Sequence, residues 1–218
     1  MLEQKYLQIQ DQIPDALKSQ MPQWREDGRI LQINEIFYSI EGEGQRVGQP
    51  TIFVRLAKCN LRCFFCDTEF DAFTEMTIET IFKEVKIHPA IWVCLTGGEP
   101  LGQNITSLCH LLKEKGYRIQ IETNGTIHPD PELYNLIEHW TVSPKRRIIS
   151  SGLTRITELK YVVGKMFRED IVEEDRADHI YLQPESSEPR YNQKVFEILM
   201  RHPKWRLSCR IHKILELP

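Results

Sequence analysis

The sequence lacks the features that mark membrane, secreted or nucleic-acid-binding proteins. No run approaches the ~20 consecutive apolar residues of a membrane-spanning helix. The opening residues, Met1 to Lys5, carry no apolar segment of the kind found in secretory signals. A formal net charge of −3 over 218 residues gives no electrostatic reason to expect a nucleic acid partner. We therefore expect a cytoplasmic protein that binds neither a membrane nor nucleic acid.

Low-complexity linkers and internal repeats are also missing, so nothing divides the main part of the chain. Only the first residues differ, because they are polar, Gln-rich and interrupted by Pro14 and Pro22. This composition predicts a helical or partly disordered arm at 1–30. A single domain is predicted at 31–218.

From Leu31 onward, short β-rich runs alternate with helical patterns. Strands are predicted at 31–38, 51–57, 91–96, 118–122, 139–142, 157–163, 178–182 and 205–211. Helices are predicted at 77–88, 102–115, 131–138, 165–175 and 190–202. Such alternation implies parallel strands joined by crossover helices. The fold class is therefore α/β, as a doubly wound sheet or as a full or partial β/α barrel.

Polar motifs follow four of the predicted strands at the point where each strand ends. They are Thr96–Pro100, Glu122–Thr126, Ser143–Lys145 and Gln183–Pro184. Parallel β/α folds place ligands at the carboxyl ends of their strands. We therefore expect these motifs to meet at one edge of the sheet and to form an active site there.

Three of the six cysteines lie in one loop. Cys59, Cys63 and Cys66 follow the strand that ends near Ala57. In a reducing compartment, clustered thiols favour metal over disulfide, and thiolates select zinc, copper(I) or iron–sulfur clusters. Structural zinc and most iron–sulfur sites take four protein ligands, but no other Cys or His neighbours this loop. Three cysteines favour a cluster with one iron open to a ligand, with structural zinc or incidental cysteines as alternatives.

The C-x3-C-x2-C spacing, with Gly97-Gly98-Glu99-Pro100 after the next strand, resembles the signature of the radical S-adenosylmethionine (SAM) superfamily. In that superfamily three cysteines hold a [4Fe–4S] cluster, SAM chelates the fourth iron, and one-electron reduction releases a 5′-deoxyadenosyl radical. A narrower resemblance, from about residue 32 to 218, is to 7-carboxy-7-deazaguanine synthases. It is carried by the segments Phe37–Gly44, Phe53–Leu56, Cys66–Thr68, Glu122–Thr126, Ser143–Lys145, Leu182–Pro184 and the end from His212 to Pro218.

This resemblance implies a shortened β/α barrel that is typically a homodimer. The implied reaction converts 6-carboxy-5,6,7,8-tetrahydropterin to 7-carboxy-7-deazaguanine with loss of ammonia, in queuosine and 7-deazapurine biosynthesis. The implied cofactors are a [4Fe–4S] cluster, SAM and Mg2+. An electron donor such as flavodoxin or ferredoxin is the implied protein partner.

The resemblance also implies roles for individual residues. Cys59, Cys63 and Cys66 would hold the cluster, and Thr68 would ligate Mg2+. The SAM contacts would be Phe65, Cys66, Asp67, Gly98, Glu99, Ser143, Pro144, Lys145, Gln183, Pro184, Glu185 and Ser186. The substrate contacts would be Ile40, Glu41, Gly42, Arg55, Thr96 and Pro218.

Charge and hydrogen-bonding chemistry fit three of these roles. Arg55 would pair with the substrate carboxylate, although a protein carboxylate could equally be the partner that a buried arginine needs. Lys145 would pair with the carboxylate of SAM. The Pro218 carboxylate would accept hydrogen bonds from the pterin.

The sequence departs from the family pattern at three places. Glu41 stands where the family often has Gln, Arg210 stands where Gln is common, and Gln183–Ser186 follows the pattern only in its first two residues.

Two alternative functions stay open. Another radical SAM enzyme, such as a glycyl-radical activase, would share the cysteine loop but need neither Arg55 nor the Glu41–Gly44 segment. A non-catalytic, zinc-stabilised binding protein would need only the cysteines.

Overall fold

The computed structural model describes residues 24, 27–63, 66, 68–145, 149–185 and 189–218. The strands in this part are β1 (Ile30–Ile40), β2 (Pro50–Leu56), β3 (Thr74–Thr77), β4 (Trp92–Gly97), β5 (Arg118–Thr123), β6 (His139–Val142), β7 (Glu158–Val163), β8 (His179–Pro184) and β9 (Arg206–Leu207). The α-helices are α1 (Ile78–Val85), α2 (Thr106–Glu114), α3 (Leu133–Leu136), α4 (Pro189–Arg201) and α5 (Ile211–Ile214). Single 3-10 turns occupy Gly44–Arg46, Pro100–Gly102, Glu169–Ile171 and Glu174–Arg176.

All these strands belong to one sheet, in the order β3-β1-β2-β4-β5-β6-β7-β8-β9. From β2 to β9, each strand pairs in parallel with the next one in this order. β1 instead runs antiparallel to both β2 and β3. The sheet does not close, because β3 and β9 form its two edges. The α/β class and the partial barrel are therefore confirmed.

One face of the parallel strands forms the hydrophobic core with the helices. Val93 and Leu95 of β4 and Ile119 and Ile121 of β5 are fully buried. They belong to the cluster that also contains the buried residues of α2, which are Leu108, Cys109 and Leu112. Because side chains alternate along a strand, the intervening residues of β4, β5 and β7 face the inside of the partial barrel. Those residues are more polar: Cys94, Thr96, Gln120, Glu122, Glu158 and Lys160.

The helix predicted at 165–175 is wrong, since this stretch contains two 3-10 turns instead. Tertiary contacts engage backbone and side-chain groups of this stretch that would otherwise be available within a helix. The Glu173 N–H donates to the Tyr161 hydroxyl (3.1 Å), and the Glu169 carboxylate pairs with Arg201 and His202 near the end of α4. Such contacts outweigh a weak local preference.

The strand predicted at 205–211 is only partly present. β9 covers two residues, and its last ladder contact is the Ser208 N–H to the Leu182 carbonyl (2.9 Å). The chain then turns away, because the Ile211 N–H donates to the Gly42 carbonyl (3.0 Å) and α5 begins. β3, which the sequence did not predict, is a short strand defined by its pairing with Ile30–Ile33.

The predicted arm at 1–30 lies mostly outside the described residues and stays a prediction. Trp24 is described, and its ring covers Gly102, where a Cβ atom would lie 2.3 Å from the indole. Among the helices of the described ranges, none combines the length and the apolar character that crossing a membrane requires.

Candidate active site

A cavity of about 400 Å3 occupies the inside of the partial barrel. It brings together residues that the sequence places far apart and that the resemblance assigned to cluster, SAM and substrate. Those that line it are Ile40, Glu41, Gly42, Arg55, Cys59, Cys66, Thr68, Thr96, Gly98, Ser143, Lys145, Gln183, Pro184, Glu185 and Pro218. Cys63, Glu99 and Pro144 do not line it, and Phe65, Asp67 and Ser186 lie outside the described residues.

The cysteine loop forms the open end of this cavity. None of the three thiols forms a disulfide, and Cys66 is exposed while Cys59 and Cys63 are partly buried. The Cys66 N–H donates to the Cys63 carbonyl (3.1 Å), and the Lys58 N–H donates to the Phe70 carbonyl (2.7 Å) as the loop leaves β2. Burial raises the pKa of Cys59 to about 11, although the Leu61 N–H opposes this shift.

The glycine motif after β4 packs directly against the cysteine loop. A Cβ atom on Gly97, whose φ is +129°, would lie 2.0 Å from the Leu56 carbonyl oxygen. A Cβ atom on Gly98 would lie 2.0 Å from the Lys58 carbonyl oxygen. Only glycine lets the two backbones approach this closely, so this motif fixes the position of the loop that carries Cys59.

Glu99 is directed into the protein, with 0% exposure. One carboxylate oxygen accepts hydrogen bonds from the Thr123 hydroxyl (2.7 Å) and the Leu101 N–H (3.1 Å). The other accepts from the Asn124 N–H (2.7 Å). Burial raises the pKa of Glu99 to about 7 despite these donors. Its carboxylate therefore links the loops after β4 and β5.

The inner end of the cavity is charged, and we call Glu41, Glu43, Glu122 and Lys160 the cavity floor. The Lys160 ammonium, 7% exposed, pairs with Glu43 and lies 3.4 Å from Glu122. Burial alone would lower the pKa of Lys160, but Glu122 and Glu43 hold it well above its usual range. Burial would likewise raise the pKa of Glu122, but Lys160 holds it below its usual value. Glu122 and Lys160 are thus ionised.

Glu41 is the least solvated member of the floor, with 2% exposure. Burial, reinforced by the charge of Glu122, raises its pKa to about 8. Its backbone N–H donates to the Gln49 carbonyl (2.8 Å), and its carbonyl accepts from the Gly48 N–H (2.7 Å). One carboxyl oxygen accepts from the Glu43 N–H (3.1 Å), and the other has no partner among the described residues.

Arg55 has a protein partner, as its burial required. Its Nε donates to the Glu35 carboxylate (2.7 Å) across the β1–β2 pair, while the side chain lines the cavity. Thr96 donates its hydroxyl to Glu122 (2.8 Å). Lys145 donates to the Ser143 hydroxyl (2.7 Å); burial and then Lys160 lower the pKa of this lysine.

The C-terminal segment closes one side of the cavity. A Cβ atom on Gly42 would lie 1.8 Å from Nδ1 of His212, so the imidazole packs where a side chain would otherwise be. The Ser39 hydroxyl donates to a Pro218 oxygen (2.7 Å). His212 and Pro218 are thereby held against the segment that carries Ile40, Glu41 and Gly42.

The geometry of the donor atoms separates a single metal ion from a cluster. A tetrahedral zinc with bonds of about 2.3 Å holds thiolates about 3.8 Å apart. Within the described ranges, only Glu41, Cys94 and Glu122 bring three donor atoms within 4.8 Å of one another, so the loop thiols are spread more widely. Burial keeps the pKa of Cys94 well above its usual value, and Lys160 already neutralises Glu122. We therefore assign no metal to that group.

Sequence reasoning did not identify the floor as a unit and missed Lys160 altogether. The signal that could have identified Lys160 is the alternation of side chains along β7. Glu158, Lys160 and Val162 point to one face of this strand, and the residues between them are apolar. A buried charge needs a partner, and such a lysine therefore indicates nearby carboxylates. Glu43 and Glu122 were noted only as parts of loop motifs.

Comparisons with known proteins agree with this geometry. A protein-family model described as "Radical SAM superfamily" matches residues 54–144. A 7-carboxy-7-deazaguanine synthase of Bacteroides thetaiotaomicron is 44% identical over 188 residues, covering 86% of this chain and 99% of the relative. The chain belongs to the 7-carboxy-7-deazaguanine synthase family.

Other family members extend the agreement. The 7-carboxy-7-deazaguanine synthase of Rickettsia prowazekii is 33% identical and covers 87% of this chain and 89% of its own length. The crystal structure of QueE from Escherichia coli superposes with a TM-score of 0.68 at 29% identity, covering 82% of this chain and 93% of that one. As a 7-carboxy-7-deazaguanine synthase family member, the protein is a radical SAM enzyme.

Membership of the radical SAM superfamily implies a [4Fe–4S] cluster and SAM. The residues present fit that cluster: three thiols that form no disulfide belong to one loop, and Cys59 and Cys66 line the cavity. This loop has no fourth cysteine: of the remaining cysteines, Cys94 and Cys109 are buried on β4 and α2, and Cys209 is exposed near the end of the chain.

Proposed function

We propose that this enzyme converts 6-carboxy-5,6,7,8-tetrahydropterin to 7-carboxy-7-deazaguanine with loss of ammonia, in a SAM- and Mg2+-dependent ring contraction. One observation supports the proposal most strongly: a single cavity connects Cys59 and Cys66 to Arg55 and to the charged floor. A substrate in that cavity would lie between the cofactor and fixed charges. This is the arrangement that positioning for radical chemistry requires.

Cys59, Cys63 and Cys66 would hold the cluster. When bound, the cluster and SAM would supply the radical chemistry that removes a hydrogen atom from C6 of the substrate. Lys145 would pair with the SAM carboxylate, and Gly98 would present its backbone. The other SAM contacts inferred from the resemblance, from Phe65 to Ser186, stay part of this proposal.

Arg55 and Glu41 would recognise the substrate. The Arg55 guanidinium has Glu35 on its Nε, and its terminal nitrogens would face the substrate carboxylate. Since the backbone N–H of Glu41 is engaged with Gln49, its contact would come from the carboxyl oxygen that lacks a partner in the described part of the chain. A carboxyl that is neutral below about pH 8 can donate as well as accept. This explains how Glu serves where Gln is common.

Mg2+ would bind at Thr68, whose side chain lines the cavity beside the cysteine loop. Magnesium is commonly held by few protein ligands and completed by substrate oxygens and water. The remaining substrate contacts in this proposal are Ile40, Gly42, Thr96 and Pro218.

We also propose that the enzyme is a cytoplasmic homodimer and that a flavodoxin or ferredoxin reduces it. Light scattering on the purified enzyme would test the dimer.

The reaction is tested by anaerobic reconstitution of the cluster, followed by incubation with dithionite, SAM, Mg2+ and the carboxytetrahydropterin. Mass spectrometry should detect carboxy-deazaguanine and 5′-deoxyadenosine. Cys63→Ala should abolish both products, whereas Cys209→Ser should retain them, because Cys209 is exposed and lies outside this cavity.

Each other result has a defined meaning. SAM cleavage without a pterin product would reject the substrate and favour a radical SAM enzyme acting elsewhere. Failure of the wild-type protein to incorporate iron would reject the cluster assignment and leave the zinc alternative.

The Mg2+ site is tested separately with Thr68→Val. This variant should abolish the dependence of product formation on added Mg2+, and an unchanged dependence would show that Mg2+ does not bind at Thr68.

A further inference from the structure

The loop after β5 reaches the first cysteine. Asn124 is 6% exposed, and its side-chain Nδ2 donates to Oδ1 of Asn60 (2.9 Å). The same Nδ2 lies 3.8 Å from Sγ of Cys59. The Leu61 N–H points at this sulfur as well, at 3.4 Å. Cys59 thus has one N–H donor from its own loop and another from the loop after β5.

The direction of the Asn124 amide is fixed by its other partners. Its Oδ1 accepts from the Thr126 N–H (3.0 Å) and from the Thr126 hydroxyl (2.6 Å). A backbone N–H can only donate, so the oxygen must face Thr126 and the NH2 must face Asn60 and Cys59. The Asn60 amide closes the ring by donating to the Thr126 hydroxyl (2.8 Å).

Glu99 fixes the backbone from which this amide extends. Its carboxylate accepts from the Asn124 N–H, and its own N–H donates to the Lys58 carbonyl (2.9 Å). The distance between Asn124 and Cys59 is therefore set by two loops that are tied to each other. Neither Asn124 nor Asn60 has a role in the reaction as proposed above.

We propose that Asn124 is a positioning residue that tunes the cluster by donating a side-chain N–H to the Cys59 sulfur. The proposal rests on the cluster assignment to Cys59, Cys63 and Cys66. Reduction adds negative charge to a cluster, and hydrogen bonds to its cysteine sulfurs stabilise the more negative state. The donor therefore raises the reduction potential and makes the cluster easier to reduce.

The test is an EPR-monitored redox titration of the reconstituted wild-type protein and of two variants. Asn124→Asp keeps the shape and the acceptor for Thr126 but replaces the donor with a charge that repels the sulfur. Asn124→Ala removes the donor without adding charge. Asn135→Asp, at an exposed position on α3, makes the same chemical change away from the loop and is the matched control.

We expect the midpoint of Asn124→Asp to move to more negative potential. At a fixed potential the ratio of reduced to oxidised cluster should fall by about tenfold, which is ~59 mV for one electron. The shift of Asn124→Ala should have the same sign and be smaller, and Asn135→Asp should titrate as wild type. Iron content should stay unchanged, and the apo variants should stay folded with a lowered melting temperature, because Asn124 is buried and hydrogen-bonded.

Three results would overturn the proposal. The first is a midpoint equal to wild type in both Asn124 variants. The second is loss of the cluster from both variants while the apo proteins stay folded, which would make Asn124 a structural residue of the ligand loop. The third is a wild-type protein that binds no cluster. SAM cleavage without a pterin product would reject the substrate proposed above and leave the predicted shift standing.

Discussion

The two ends of the cavity are built in different ways. The floor consists of strand and loop side chains whose charges are balanced within the protein, with Lys160 between Glu43 and Glu122. The cysteine end consists of loops held together by backbone contacts and amide hydrogen bonds, and its thiols are spread apart. The floor holds charges of both signs, whereas the cysteine end holds the thiols to which the proposed function assigns the cluster.

This difference separates what stabilises the fold from what performs the chemistry. Removing a charge from the floor leaves another charge buried without its partner, and that costs free energy of folding. Removing a thiol from the partly exposed cysteine loop removes a ligand but leaves no charge unpaired. Removal of Lys160 or of one of its carboxylate partners should therefore reduce stability even in the apo protein, while Cys63→Ala should reduce activity alone.

The largest loss of stability is expected for Lys160→Met. This change keeps most of the side-chain volume but leaves Glu43 and Glu122 without their cation, so the apo protein should lose about 3–5 kcal/mol of unfolding free energy. Urea denaturation of the apo protein measures the loss. Lys165→Met, at an exposed position, is the control and should change stability by less than about 0.5 kcal/mol. Equal losses in the two variants would show that the floor charges are not coupled to folding.

An effect of the opposite sign, dependent on pH, is expected for Glu41→Gln. The pKa of Glu41 is about 8 in the folded protein against an ordinary value of 4.5. The raised pKa means that the folded protein holds this proton more tightly than the unfolded chain does. Below pH 4.5 the carboxyl is protonated in both states, so it does not lower the stability of the wild type. As the pH rises from 4.5 through 8, the wild type loses stability relative to the Gln variant. The variant should match wild type near pH 4.5 and exceed it by on the order of 5 kcal/mol above pH 8. Parallel urea titrations at both pH values check this, and a constant difference would contradict it.

The same difference explains which parts of the molecule the sequence could predict. Motifs that follow strands, such as Gly97–Glu99 and Ser143–Lys145, are local in sequence, and Gly97, Gly98, Ser143 and Lys145 among them line the cavity. The floor depends on which face of a strand turns inward and on the loop that crosses beneath it. The pairing of Lys160 with Glu43 joins positions 117 residues apart, and no local pattern carries that information.

Errors in the predicted elements have a similar origin. Strand β4 follows from the continuous apolar run Ile91–Leu95, because a parallel strand can be buried on both faces. The stretch 165–175 contains enough helix-forming residues to predict a helix, but Tyr161 and α4 take its polar groups. The strand predicted at 205–211 ends early because Gly42 binds the Ile211 N–H. In both places contacts distant in sequence outweigh the local preference.

The smallest effect is expected where the C-terminal segment meets the floor. In Gly42→Ala the new Cβ would overlap the His212 ring, so the ring and the segment behind it must move, at a cost of about 1 kcal/mol. Hydrogen exchange should show faster exchange of the Ile211 and Leu217 amides, which donate to the Gly42 and His212 carbonyls. The double variant Gly42→Ala with His212→Ala removes the overlap and should restore slow exchange. If the double variant exchanges as fast as the single one, the imidazole is not the group that Gly42 accommodates, and the segment is held by its backbone contacts alone.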